Sequence, residues 1–135
     1  MPTKDRYHDV VMRALQKAGW AITKEQFRQR VAERLVFVDL QAFQRVNAIL
    51  VLIEVKVFDD AASQVENLSD ALGQYLVYKA VLDYVGELSP LYLAVPETAY
   101  RGILNEILGQ LVIERYDVKL LVFNAESEEI VAWRH

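Results

Sequence analysis

Two carboxylates and one ammonium, Asp39, Glu54 and Lys56, are the residues of this chain whose types and spacing could do chemistry together. Two oxygen ligands beside a cation can hold a divalent metal and activate water. Glu54 and Lys56 sit two residues apart in Ile49–Phe58, Ile-Leu-Val-Leu-Ile-Glu-Val-Lys-Val-Phe, a run without Gly or Pro. Such a run reads as a central strand buried on both faces, on which residues two apart project from the same side. Charges are costly to bury unless they are paired or bind metal. A structural Glu54–Lys56 ion pair is the simpler alternative. Asp39 weighs against it, because it ends a second short apolar run, Arg34–Leu40, where a strand meets a turn.

The elements that must position these residues follow from periodicity. Tyr7, Val10, Val11, Ala14, Leu15 and Ala18 recur at helical spacing over residues 5–18, and Gly19 stops the helix. Trp20 to Phe27 reads as a short strand, with Arg28, Arg30, Glu33 and Arg34 as a charged turn or strand end, and the Asp39 strand follows. Gln41 to Asn47 is a turn or strand extension before the Glu54 strand, so the three strands form a meander. Asp59 and Asp60 end the third strand. Ser63 and Glu66 have the form of a capping box for a long helix to about Tyr84, with Val65, Leu68, Leu72, Tyr75, Leu76 and Leu82 inward. Leu91–Val95 is a further strand. Glu97 to Leu111 reads as a helix with Tyr100, Ile103, Leu104, Ile107, Leu108 and Leu111 inward, and Lys119–Phe123 and Ile130–Trp133 as closing strands. The predicted fold class is α/β, a mixed sheet flanked by helices in one domain over residues 1–135.

Composition narrows the function. With 15 basic and 19 acidic residues the net charge is −4, so DNA contact would need a local patch. Arg28, Arg30 and Arg34 alternate just before Asp39, as a phosphate-contacting edge or an ordinary charged surface would. The chain has no cysteine, no apolar run long enough to span a membrane, and no signal-peptide pattern at Met1-Pro2-Thr3-Lys4-Asp5, which leads to the expectation of a cytoplasmic protein without membrane partners. His8 reads as a general base, a metal ligand or a hydrogen-bonded structural residue, and Asp9 as a third carboxylate or a solvated helix acid. His135 is expected to fray.

The order of elements, with Asp39 near the end of one strand and Glu54-Val55-Lys56 on the next, resembles the PD-(D/E)XK nuclease superfamily, with Val38 where its proline stands. Gln74 and Tyr78, one turn apart on the long helix, look like the Gln-x-x-x-Tyr signature of its RecB-like branch. Across nearly its full length the chain resembles the XisH-like proteins, fdxN element excision controlling factors. The shared stretches are Lys4-Asp5-x-Tyr7-His8, Gly19-Trp20, Val38-Asp39-Leu40, Val55-Lys56-x-Phe58, Ala71-Leu72-Gly73-Gln74, Tyr92-Leu93-Ala94-Val95-Pro96 and Tyr116-x-Val118-Lys119-Leu120.

That resemblance implies a restriction-endonuclease-like core: helix, three-strand meander, helix, strand, helix, strand. It implies a part in excising a DNA element from a cyanobacterial chromosome during heterocyst differentiation, alongside a site-specific recombinase and an XisI-like partner protein. For a working nuclease it implies Mg²⁺ or Mn²⁺ held by Asp39, Glu54 and the Val55 carbonyl, with Asp9 as a candidate further ligand. Lys56 would orient the attacking water, and Gln74 and Tyr78 would support that water or a phosphate. The alternative is a nuclease-fold accessory protein, a heteromer subunit or a homo-oligomer that assists a recombinase without cutting.

Overall fold

The computed structural model describes residues 6–59 and 63–135. Lys4, Asp5 and Asp60, and with them the expected helix start at residue 5, lie outside the described residues. Chain order is α1 (His8–Lys17), β1 (Trp20–Val31), β2 (Arg34–Gln44), β3 (Ile49–Val55), α2 (Gln64–Val85), β4 (Leu91–Pro96), α3 (Glu97–Arg101), a 3-10 turn (Ile103–Asn105), α4 (Ile107–Arg115), β5 (Leu120–Asn124) and β6 (Glu129–Arg134). The strands form one mixed sheet in the order β1-β2-β3-β4-β5-β6. The first three pair as an antiparallel meander. β3, β4 and β5 are parallel, and β6 returns antiparallel.

Each parallel step needs a crossover, which α2 and the 97–115 segment supply. Two successive right-handed crossovers that advance the same way along a sheet place their helices on the same face. Leu52, Leu91, Leu93 and Val95 accordingly pack with Leu68, Ala71, Tyr75 and Leu82 of α2 and with Ile103 and Leu104. The alternate residues Ile53, Val55, Tyr92, Ala94 and Leu121 face the other way, onto Val11 and Leu15 of α1. The central strands are apolar on both sides because both sides are covered. Each fully buried Leu or Val contributes about 1.5–3 kcal/mol.

Ser63 caps the start of α2, its Oγ accepting the Glu66 N–H at 3.5 Å, which is one half of the expected capping box. Gly86, at φ 80°, closes the same helix, and the Glu87 N–H bonds back to the Leu82 carbonyl.

Several expectations need correction. The first strand does not stop at Phe27 but continues to Val31; of the two readings for Gln41 to Asn47, residues 41–44 take the strand extension, since β2 runs through Gln44. An edge strand carries polar side chains without loss, so Arg28 and Arg30 do not end it. β3 ends at Val55, short of Phe58. The expected helix from Glu97 to Leu111 is broken at Gly102, whose φ −92° and ψ −113° are not helical. Ile103 and Leu104 stay inside, but past the 3-10 turn the pattern faces outward, with Ile107 and Leu111 81% and 60% exposed and Leu108 exposed as well. Val65, expected inside, is exposed. His135 is not frayed, since its Nδ1 lies 2.6 Å from the Tyr92 hydroxyl.

Candidate active site

The register of β2 on β3 pairs Gln41 with Leu52 and Leu40 with Ile53, which brings Asp39 level with Glu54. The two strands part there. In place of a backbone ladder, the Val55 N–H donates to Asp39 Oδ2 at 2.8 Å and the Asp39 N–H donates to Glu54 Oε1 at 3.3 Å. A change of facing accompanies the fork. Val38 packs in the α2 cluster and Leu40 in the α1 cluster, so the two-residue alternation fails at Asp39. Across from it, Gln26 of β1 lies between the ladder pairs Glu25–Leu40 and Phe27–Val38 and takes a left-handed φ of 57°. A residue held there kinks a strand and re-aims its neighbours.

The site is acidic, with Glu54 buried and Asp39 half-buried. Glu54 is only 5% exposed. Burial first, and then the Asp39 charge, push its carboxyl up to about 9, aided by a hydrogen bond between the two carboxyl groups. The amide bond from Asp39 and the Lys56 charge act the other way. Without a cation the pair therefore holds one proton at neutral pH and titrates as a unit.

Lys56 is half-buried, and its amide joins β4 through the Ala94 carbonyl at 3.0 Å. Its influence on Glu54 is the smallest of those acting there, and among the described residues it forms no ion pair. The simple Glu54–Lys56 pair is thus not what the structure contains. Because the Lys56 N–H points to β4 and the Val55 N–H to β2, the Val55 carbonyl also lies on the Asp39 side of the strand.

Tyr78 reaches the same place from α2. Burial, then the Glu54 and Asp39 charges, push its phenol up to about 12, so it remains a neutral O–H donor beside the acids. Gln74, one turn earlier, is exposed and makes no hydrogen bond among the described residues. Asp9 sits elsewhere. Its ligand atoms group with those of His8 and Glu25 within 4.8 Å of one another. The reason is topological: α1 covers the face of Ile53 and Val55, and Glu54 projects to the other. His8 is buried with Nε2 3.1 Å from Glu25 Oε1 and Nδ1 unpartnered. Glu25 left no mark in the sequence, because only the fold brings it to a histidine seventeen positions earlier.

Two carboxylates and a peptide carbonyl form a hard-oxygen set, which suits Mg²⁺ or Mn²⁺ better than Zn²⁺. Each carboxylate has two oxygens, one of which accepts a backbone amide. The residues present therefore fit such an ion.

A helix, an antiparallel three-strand meander and two parallel crossovers, with an acidic pair at the meander's fork, define a nuclease-like α/β fold. Within that class the chain belongs to the XisH family, whose profile matches residues 1–131. It is similar to the crystal structure of an fdxN element excision controlling factor protein from Anabaena variabilis, at 32% identity and TM-score 0.90, over 98% of this chain and 100% of that one. An XisH family protein from Nostoc punctiforme is similar at 30% identity and TM-score 0.88, over 97% and 100% of the two chains. Among curated proteins, none matches this sequence. Among the described residues, no helix is long and apolar enough to cross a membrane.

Proposed function

We propose that this chain controls excision of a DNA element by acting on phosphodiester bonds at the Asp39–Glu54 fork. The observation that carries this reading is the convergence of two carboxyl groups where β2 and β3 separate, tied reciprocally to the Asp39 and Val55 amides. The description of the Anabaena relative as an fdxN element excision controlling factor gives the biological setting. An XisI-like partner protein and a site-specific recombinase belong to the same proposal, as does a cytoplasmic place of action.

Asp39, Glu54 and the Val55 carbonyl would hold Mg²⁺ or Mn²⁺, which supplies a more acidic water and neutralises phosphate oxygens. The chain does the rest. Glu54, held protonated first by burial and then by the Asp39 charge, would be ionised beside a bound cation, whose charge offsets both. Lys56, the residue after the end of β3, orients water and offsets charge on the phosphoryl group. The Tyr78 O–H donates to a phosphate oxygen.

An accessory role without cutting is the second reading. It is favoured by the net charge of −4 and by the amide hydrogen bonds that already occupy one oxygen of each carboxylate. One experiment separates the two: incubation of supercoiled DNA with the purified chain and Mg²⁺ or Mn²⁺, beside Glu54→Gln and Lys56→Ala. Nicking that falls by about 10² to 10³ in both variants supports the enzyme. A wild-type chain that neither nicks DNA nor binds Mn²⁺ leaves the accessory role.

A further inference from the structure

We propose that the outer edge of the sheet, along β1, is a docking surface for the phosphodiester backbone of DNA; the inference deepens the reading above by locating where its substrate lies. Lys24, Gln26, Arg28, Arg30 and Leu35 line an open groove of about 440 Å³. Three of these five residues are cations within seven positions of one strand, in a chain whose net charge is −4.

Surface cations in an acidic protein ordinarily sit near carboxylates. These do not: among the described residues none of the three enters an ion pair. Lys24 lies over the Phe27 ring, 5.4 Å from its centroid. Glu25, the acid between them in sequence, is engaged with buried His8. The charge is thus concentrated and uncompensated, which attracts a polyanion.

Position gives the second argument. β1 is an edge strand, so a ligand can lie along it without displacing other structure. Arg28 and Arg30 are about 7 Å apart along the strand, close enough for one nucleic-acid strand to meet both. Gln26 stands level with Asp39, which places the groove about 5 Å, one strand spacing, from the strand of Asp39 and about 10 Å from that of Glu54. An acidic pair alone repels phosphate. The β1 cations supply, beside it in the sheet, the attraction for a phosphodiester chain that the acids lack.

Arg34 departs from the expected basic edge: it opens β2 opposite Val31 and does not line the groove, whereas Lys24 joins it.

The test is fluorescence anisotropy of a labelled DNA duplex titrated with the full chain in EDTA over a range of salt. Arg28→Ala/Arg30→Ala is compared with Lys79→Ala/Arg115→Ala, which removes equal charge from α2 and α4, and circular dichroism checks that each variant is folded. The groove variant is expected to lose at least tenfold in affinity at low salt and to flatten the slope of log K against log salt by about 2. The control pair is expected to keep the wild-type slope, and Arg28→Lys/Arg30→Lys to keep most of the binding. Equal slopes in wild type and Arg28→Ala/Arg30→Ala, absence of DNA binding by wild type at low salt, or a preference for a polyglutamate probe over DNA would each overturn the proposal. Because EDTA removes any role for a bound cation, failure of the metal reading leaves this result intact, and failure here leaves Mn²⁺ binding at Asp39 and Glu54 to be judged separately.

Discussion

Asp39 and Glu54 stand in for the backbone where β2 and β3 part: the Asp39 carboxylate accepts the amide that follows Glu54, and the Glu54 carboxylate accepts the amide of Asp39. The exchange fixes both side chains without a cation. It also leaves two acids close together in a buried place, an arrangement with consequences for stability and for chemistry.

The first consequence is a pH dependence. The Glu54 carboxyl is raised to about 9 in the fold from an ordinary 4.5, so between those values the native state keeps a proton that the unfolded chain has lost. Its contribution is fully present below 4.5 and disappears as pH rises through 9. Urea unfolding in EDTA should show stability falling with pH across that window, by up to about 1.4 kcal/mol per pH unit. Glu54→Gln, neutral throughout, should flatten the dependence. Saturating Mn²⁺ should flatten it too, because the cation stabilises the ionised pair. A wild-type chain equally stable at both ends of the window would mean that the carboxyls are better solvated than the fold implies.

Tyr78 and Gln74 separate cleanly. The Tyr78 phenol is held neutral beside the acids by burial and by their charge, so Tyr78→Phe removes a donor from the site with little effect on folding. If the chain nicks DNA, Tyr78→Phe should slow nicking by about 10². Gln74→Ala, at an exposed position on the same helix, should change the melting temperature little and nicking less than Tyr78→Phe does. Single-turnover nicking with metal in excess measures the difference. Equal losses in both variants would place the helix signature, rather than the phenol, at the centre of its role.

The meander and the long helix were legible because each is marked locally. Ser63 and Glu66 announce the start of α2, Gly86 its end, and Ile49 to Val55 could only be a strand covered on both faces. The meander made neighbours of the Asp39 and Glu54 strands, but their register, Leu40 on Ile53, was not legible, because Gln41 to Asn47 reads equally as a turn or a strand extension. What the sequence concealed lies in backbone geometry that ordinary residues adopt under tertiary constraint. Gln26 takes a left-handed φ without being Gly, and the change of facing at Asp39 goes with it. The break at Gly102 was hidden by an apolar pattern, Ile103 to Leu111, that fits an unbroken helix. The His8–Asp9–Glu25 group was hidden by sequence distance.

Tyr75 ties α2 to the amino ends of two parallel strands. Its hydroxyl donates to the Leu91 carbonyl at 3.0 Å and accepts the Lys119 N–H at 3.2 Å, with the ring 1% exposed. Tyr75→Phe keeps the packing but leaves both backbone groups without that partner. The expected cost is about 1–3 kcal/mol, read as a lower urea midpoint at unchanged m value. A smaller loss would show that water enters to replace the hydroxyl.

Two glycines of similar helical setting should respond in opposite directions to the same substitution. A Cβ at Gly73, exposed in the middle of α2, meets nothing within 4 Å. Gly73→Ala should therefore stabilise the chain by up to about 1 kcal/mol through helix propensity alone. A Cβ at Gly109 would stand 2.2 Å from the Ile103 carbonyl oxygen and 2.7 Å from Leu104 Cα, both backbone atoms. Relief would require α4 to move away from the 3-10 turn that packs against it, opening the cluster around Ile103 and Leu104. Gly109→Ala should cost about 1–3 kcal/mol or more, as overpacking does. Thermal unfolding of the two variants beside wild type checks both signs. A stable Gly109→Ala chain would mean that α4 is held loosely, and that Gly102 alone accounts for the turn of Ile107 and Leu111 toward solvent.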